Sequence, residues 1–598
     1  MEFVTGGYIA AFRATLLLLA VWAAAARFGG LLLSWFPEDA ALSREEKALF
    51  SAGLGICAIS FAVFAAGLAG KLYSTWMWGL LAAFFILPFL RKKNAFSFPA
   101  LVFPGPVWQK AAFVCMAFVA ALAWIQATLP PIATDALSYH LYHPKLFALH
   151  HKLYYVPFSR ESLWPYLTEM LYTLSLLIEG TTLTQLFQWS FYLLTGWGVF
   201  LLARRAADEK TAWLSALIFL SIPAAFAQSG VPYVDLSFAF FILLAVYPLI
   251  LYGASPGGAL VLLSGLLTGA ACATKYLGLC AGLVLFIFWA IETRLNAKLL
   301  FYFLLGCALT GAAWYVRSWI VLGNPTYPFF GKYFGGHGYE FDVAANVGRE
   351  TGFYGFAKLL WNMTFYPASF GGQMLGPFFL MLLPLLIFST KKMSRAAVWL
   401  ILFPIFYTCL LYRQSQHLRF YLSAAPFLSV GAGYAAQSFL QKKDILSRIL
   451  AGVLAFLFAL HLGIFVYRVR DALPVLTGKV SAHQYLLGHQ RSFRAFDFVK
   501  TNMRPGDRIF NGAEVCYFYS PDPDLPIYEI PFRLWLATKR MSLSDYLKKE
   551  NFRFILYGDG APSELAHFIR ETGYQEILSY DFYEKPALFH YQVYETKA

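Results

Sequence analysis

The sequence predicts an all-α polytopic membrane protein of roughly 13–14 transmembrane helices, with a small C-terminal α/β domain outside the membrane. Two observations predict the bundle. Of the 598 residues 59% are hydrophobic and 13% charged, and mean hydropathy is +0.56, far outside the range of soluble globular domains. The apolar residues also gather into runs of about 20, the length that crosses a hydrocarbon core. A third observation predicts the added domain: after about residue 480 charge rises, and short apolar segments alternate with helical ones.

In chain order, candidate spans fall near 9–36, 48–70, 72–90, 110–130, 182–203, 211–228, 235–252, 258–274, 276–291, 298–320, 374–390, 395–412, 419–438 and 446–467. The first run is too long for a signal h-region and lacks a clean small-residue cleavage site, so it is expected to be a retained span. Basic clusters at Arg91, Lys92 and Lys93, at Arg204 and Arg205, at Lys391 and Lys392, and at Lys442 and Lys443 occupy alternate loops. The positive-inside rule makes those loops cytoplasmic. The opposite connections then face outward: the loop 131–181, "GVPYVD" at 230–235, the loop 321–373, "RQSQHLRF" at 413–420, and the chain after Tyr467. The net charge of +14 is thereby read as topology, and nucleic acid is not an expected partner.

Six of the seven cysteines sit inside apolar runs and only Cys516 lies in a polar region, which argues against a disulfide framework or a zinc cage. In the tail, "DRIFNG" and "FRFILYG" read as short buried strands, and "SFRAFDFVKTNM" and "SELAHFIRETG" as helices. "YGDGAP" is too loose for a phosphate loop. The expected division is 1–109 for additional N-terminal transmembrane helices, 110–470 for a transmembrane catalytic core with outer loops 131–181 and 321–373, and 471–598 for the extracytoplasmic domain.

The informative residues are charges at the outer ends of spans: Asp135, Glu161, Glu169, Asp235, Lys275, Arg317, Arg413, His417 and Arg419. Ionisable groups at membrane depth cost several kcal/mol, so they face a cavity, find a partner or mark a substrate path. Each also has a plainer reading. Asp135 can cap the helix "ALSYHLYHPKLF", and Asp235 opens a span where the helix dipole favours a carboxylate. Lys275 interrupts "GLLTGAACATKYLGLCAGL" and needs an anion or a surface turn, Arg317 can snorkel, and Arg413, His417 and Arg419 can form an ordinary polar turn. His140 and His143, three apart, can share a face as metal ligands; Asp135, Asp235 and His140 are the donors available to a divalent cation, the one cofactor considered. Taken together, cations from separated spans and carboxylates from two loops converge on one face, as a lipid-linked phosphate with acid/base chemistry beside it requires.

Five segments in order carry a resemblance: "TDALSYHLYHPKLF", "PYVDLSFAFF", "GACATKYLGL", "WYVRSWIVLGNPTYPFF" and "HLRFYLSAAPFL". From about 110 to 470 the chain resembles the GT-C membrane glycosyltransferases, the fold class that includes aminoarabinose transferases and protein O-mannosyltransferases. The resemblance implies an inverting transfer of a sugar from a polyprenyl-phosphate donor to an extracytoplasmic acceptor hydroxyl on a lipid, glycan or protein. Asp135 is then the general base. Asp235 orients substrate or helps hold a divalent ion, and Lys275, Arg317 and Arg419 stabilise the departing phosphate. His140, His143, Glu161, Trp164, Tyr327 and His417 are expected at the substrate. The implied setting is a bacterial inner membrane with the site on the periplasmic face. Two departures stand out: the paired Asp-Glu of the mannosyltransferases is here Asp135-Ala136, and about three extra spans precede the catalytic loop. The tryptophan-tryptophan-aspartate signature of oligosaccharyltransferases is absent. Alternatives are an O-antigen ligase or polymerase using an arginine and histidine pair, and a transporter of lipid-linked saccharides, for which repeated halves would be expected.

Overall fold

Apolar runs of this length leave helix as the only way to satisfy the backbone in lipid, and a computed structural model of the chain forms them. It describes residues 4, 6–36, 42–90, 104–157, 159–335, 348, 350–388, 395–512, 516–522, 530–559, 561–584 and 587–596. The basic clusters at Arg91, Lys92 and Lys93 and at Lys391 and Lys392 lie outside the described residues, as does part of the loop 321–373.

Among the described residues eight helices are long and apolar enough to cross a membrane: Tyr8–Leu33, Arg44–Leu68, Val107–Ala127, Thr181–Ala206, Asp235–Tyr252, Ala297–Leu322, Arg395–Tyr412 and Ile445–Arg468. Shorter apolar helices are Ser74–Leu90, Leu167–Ile178, Gly258–Thr274, Leu277–Glu292 and Phe378–Phe388. The protein is an integral membrane protein. Asp235–Tyr252 is buried along its whole length and forms the axis of the bundle, whereas Ile445–Arg468 is 17% buried and turns Ile449, Phe456 and Leu460 outward. Small residues let helices touch where side chains would not fit. A Cβ on Gly55 would stand 1.7 Å from the Ala25 carbonyl oxygen, and one on Gly265 2.2 Å from that of Phe303.

Four expectations change. The span at 419–438 is split into a short helix, Leu418–Tyr421, and a longer one, Ala425–Leu440, with Pro426 in the first turn of the second. The span placed at 211–228 is broken into Glu209–Leu220 and Pro223–Gln228, because Pro223 has no N–H to continue the ladder and holds Ile222 extended (φ −67°, ψ 118°). The span at 374–390 is a short α-helix, Phe378–Leu382, followed by a 3₁₀ segment, Leu383–Phe388, with Pro384 inside it. The stretch 131–181 is more than a loop: it contains Tyr142–His150 and the buried apolar helix Leu167–Ile178, whose Leu171, Leu174 and Met170 join the bundle core.

The tail folds as the strand and helix signals predict, on a four-stranded sheet of β1 (Ile509–Asn511), β2 (Phe554–Gly558), β3 (Gln575–Glu584) and β4 (Ala587–Glu595) in the order β1-β2-β4-β3. β1 pairs parallel with β2 (Ile509 opposite Phe554); β2 and β3 each pair antiparallel with β4. Phe493–Asn502 and Ser563–Thr572 pack on it as amphipathic helices.

This domain sits directly on the segment that carries Asp135. The main-chain N–H groups of Tyr517 and Phe518 donate to the Leu137 carbonyl (3.2 and 3.0 Å), and Tyr519 Oη donates to the Pro131 carbonyl (2.7 Å). Lys145 Nζ donates to the carbonyls of Phe518 (2.7 Å) and Ser520 (3.0 Å). Burial lowers the Lys145 ammonium to about 8 against the opposing pull of Asp522. A single apolar cluster, including Tyr142, Leu146, Val156, Phe496 and Val593, spans the junction.

Candidate functional site

Asp135 lies just past the helix Val107–Ala127, where the chain turns through Pro130 and Pro131 into a π-helical turn, Ala136–His140. The Leu141 N–H reaches the Ala136 carbonyl at 2.8 Å, and such wide turns recur at functional sites. The capping reading of Asp135 does not hold. Its backbone is helical, its side chain makes no cap bond, and the carboxylate instead accepts from Arg419 Nη2 (2.5 Å) and Tyr139 Oη (3.0 Å). Burial alone would push this carboxyl up, but the Arg419 charge, His140 and the two hydrogen bonds more than offset it, leaving it lowered to about 2.

Arg419 comes from the short helix Leu418–Tyr421, and its guanidinium lies 4.9 Å from the centre of the Tyr233 ring and 5.2 Å from that of Phe420. Its Nε is buried without a hydrogen-bond partner among the described residues. Lys275 follows the last residue of Gly258–Thr274 in an extended conformation (φ −159°, ψ 143°), and this break between two helices directs Nζ to Asp235 Oδ1 at 2.7 Å. Asp235 is the first residue of its helix, where the dipole favours a carboxylate. The same ammonium sits 4.0 Å from the centre of the Phe420 ring. Two carboxylate–cation pairs therefore stand side by side around Phe420, and Arg419 lies within electrostatic range of both carboxylates.

Around them stand the remaining expected residues. His140 Nδ1 meets Glu169 Oε1 at 2.7 Å, and His143 Nδ1 meets Tyr166 Oη at 2.5 Å. Burial pulls His143 down to about 3, with Arg317 adding to it, and pulls His417 down to about 4 with the Arg419 charge beside it, so both rings are neutral. Arg317 does more than snorkel: its Nη1 donates to the Ser162 carbonyl at 3.3 Å and ties the helix Ala297–Leu322 to the 159–166 segment. Trp164 packs edge-on to Tyr139 (5.5 Å) and Tyr276 (6.4 Å), with Nε1 buried and unpartnered among the described residues. His417 lies against Gly371, where a Cβ would stand 1.9 Å from the imidazole Cε1; with φ +88° that position also favours glycine.

Others stand apart. Glu161 accepts from Arg160 and Ser159. Tyr327 is buried and offers its main-chain carbonyl to Tyr276 Oη (2.7 Å). Arg413 is exposed, His150 stacks on Tyr154, and His151 Nδ1 bonds the Leu72 carbonyl at 2.9 Å. As donors to a divalent ion, Asp135, Asp235 and His140 are spent on Arg419, Lys275 and Glu169, and no three His, Cys, Asp or Glu side chains converge among the described residues. This arrangement does not fit a resident ion.

Sequence reasoning missed the groups that hold the charges in place. Tyr139 was readable, four residues beyond Asp135 on one helical face. Tyr233, Tyr166 and Phe420 carry no signal of their own, because an aromatic ring in so apolar a chain reads as core. A second feature adjoins Asp135: a cavity of about 300 Å³ lined by Ala133, Tyr233, Gln228, Gln373, Phe465 and Arg468, among others.

No protein-family model matches the chain, and no curated protein matches its sequence. Solved structures do. ArnT from Cupriavidus metallidurans in the apo state matches with a TM-score of 0.54 at 13% identity, over 81% of this chain and 98% of ArnT. The same protein bound to undecaprenyl phosphate matches with a TM-score of 0.53 at 12% identity over the same shares. The apo oligosaccharyltransferase of Archaeoglobus fulgidus gives a TM-score of 0.45 at 14% identity, over 75% of this chain and 69% of its own. With nearly the whole of ArnT laid over four-fifths of this chain, the protein has the GT-C fold that its five sequence segments suggested.

Proposed function

We propose that the protein transfers a sugar from a polyprenyl-phosphate donor to an acceptor hydroxyl on the periplasmic side of a bacterial inner membrane, with inversion and with Asp135 as general base. The observation that carries this reading is the pair Asp135–Arg419, 284 residues apart in sequence and joined at 2.5 Å in a polar nest at the end of an apolar bundle. A carboxylate held at about 2 is a poor base at neutral pH. A guanidinium, however, prefers a dianionic or doubly accepting phosphate to a single carboxylate oxygen. Donor binding draws Arg419 toward phosphate, Asp135 loses the charge that depressed it, and burial then raises it into a useful range. The base is armed when the leaving group is in place. As the acceptor oxygen forms its bond to the anomeric carbon, its proton passes to Asp135 and the bond to the phosphate oxygen breaks. Lys275 and Arg317, with Arg419, meet the charge left on polyprenyl phosphate. ArnT, whose fold the chain shares, has been crystallised with undecaprenyl phosphate, which supports this donor class.

The test is binding of undecaprenyl phosphate to the purified protein in nanodiscs, followed by transfer from a lipid-linked sugar pool. Wild-type protein binds the lipid phosphate, and Arg317→Ala weakens binding more than it lowers turnover at saturating donor. Equal loss of turnover at every donor concentration would make Arg317 a structural residue, and no binding by the wild type would overturn the donor class.

A further inference from the structure

We infer that the 300 Å³ cavity beside Asp135 is a saccharide subsite that takes one neutral, polyhydroxylated ring through Gln228, Gln373 and Arg468. The inference rests on the transferase reading and adds to it the place where a sugar ring binds.

The cavity is built, not incidental. Its volume lies at the lower end of the roughly 300–1,000 Å³ typical of small-molecule sites. One wall is the short helix Pro223–Gln228, fixed because the Ala224 N–H donates to the Met374 carbonyl (2.9 Å) and Phe226 stacks on Phe465 at 3.9 Å and 3°. Behind it, Gln126 accepts from Arg468 Nε (2.9 Å) and donates to the Ala227 carbonyl (3.1 Å), which sets the guanidinium in place. A Cβ on Gly230 would stand 2.6 Å from Gln126 Nε2 and would push this amide out of its place beside Arg468.

The chemistry of the lining selects the ligand. Gln228 is 2% exposed, and its Oε1, like that of Gln373, is buried with no hydrogen-bond partner among the described residues. Two orphaned amide oxygens cost free energy unless something donates to them. Sugar hydroxyls donate and also accept, which suits Arg468 on the same wall, and the C–H faces of a pyranose suit Met374 and Phe465. None of Lys275, Arg317, His417 and Arg419 lines the cavity, and its one cation, Arg468, already gives Nε to Gln126 (2.9 Å), so the cluster of charges lies elsewhere. Tyr233 forms part of both the cavity and the platform under Arg419, and its hydroxyl accepts from the main chain of Asp135, so a ring held here lies next to the proposed base.

The test uses the full-length protein in nanodiscs and saturation-transfer difference NMR with a panel of free glucose, galactose, mannose, N-acetylglucosamine and their disaccharides. At least one saccharide gives a signal with wild-type protein, and Gln228→Leu or Gln373→Leu reduces it at least threefold while undecaprenyl phosphate affinity stays within twofold. The less buried Gln373 keeps the test decisive should Gln228→Leu misfold. Undecaprenyl phosphates carrying the same sugars then identify the source: displacement of the free saccharide assigns the ring to the donor, and binding of both together assigns it to the acceptor. Lipid phosphate binding with no saccharide signal, or a signal unchanged in both variants, overturns the subsite and leaves the transferase reading standing. Failure of the wild type to bind undecaprenyl phosphate overturns that reading instead.

Discussion

On one side of Asp135 stand Lys275, Arg317, His417 and Arg419, brought from three separated stretches of chain and partly satisfied by carboxylates and carbonyls; on the other, Gln228, Gln373 and Arg468 line a cavity whose two glutamine oxygens have no partner among the described residues. The cationic side is held together by pairs that an incoming anion can replace. The amide side is held by packing and waits for hydroxyls. The contrast teaches how a site in a membrane protein separates two jobs: charge is kept compensated until a charged ligand arrives, because an unpaired ion at this depth costs too much, whereas an unpaired amide can be carried at about 1–3 kcal/mol.

The largest way to break that comparison is to remove the group between the two sides. Asp135→Asn keeps the size and loses the base, and transfer falls on the order of 10²–10⁴-fold with undecaprenyl phosphate binding retained, measured on purified protein. Next is Arg419→Gln. It weakens undecaprenyl phosphate by roughly 10–100-fold, as loss of a charged hydrogen bond does. It also leaves burial to raise Asp135 in the free enzyme, so kcat/KM of the variant acquires an acid limb that the kcat/KM of the wild type, with Arg419 on the carboxylate, lacks. A variant with the wild-type pH profile would show that Arg419 does not control the carboxylate.

Smaller effects sharpen the two sides without chemistry. His143 has a folded-state value of about 3 against about 6.5 unfolded, so below pH 6.5 the unfolded chain takes the proton first. Stability is full above pH 6.5 and declines as pH falls toward 3, by on the order of 2 kcal/mol at pH 5 from this group; His417 acts in the same direction. Asp135 acts in the same direction but only below about 4, where its unfolded-state carboxyl begins to protonate, so it adds nothing to the decline between pH 7 and pH 5. A thermal midpoint in detergent that is flat from pH 7 to pH 5 would contradict the neutral buried ring. Smallest is Lys145→Met, which strands the carbonyls of Phe518 and Ser520 and costs about 1–3 kcal/mol. Limited proteolysis should then release the C-terminal domain more readily while lipid binding is unchanged.

Much of the bundle was legible because lipid permits few solutions: the spans at 235–252 and 258–274 coincide with helices in the structure. Where prediction failed, proline or helix length was the cause. Pro223 cuts an apolar run that hydropathy alone joins, and Leu167–Ile178 at 12 residues is too short to register as a span. At the site, Asp135, Asp235, Lys275, Arg317 and Arg419 were visible because a charge in a greasy chain has to be explained. Their pairing was not, since Arg419 finds Asp135 across 284 residues and no local pattern records it. The cavity was invisible for a related reason. Gln228 and Gln373 are neutral, and their significance lies in a partner they lack.

The most direct measurement is transfer by Asp135→Asn set against its undecaprenyl phosphate affinity, in one nanodisc preparation alongside wild type. A carboxylate acting as base predicts an affinity within threefold of wild type and transfer lowered at least a hundredfold. Turnover equal to wild type with the lipid bound would contradict it.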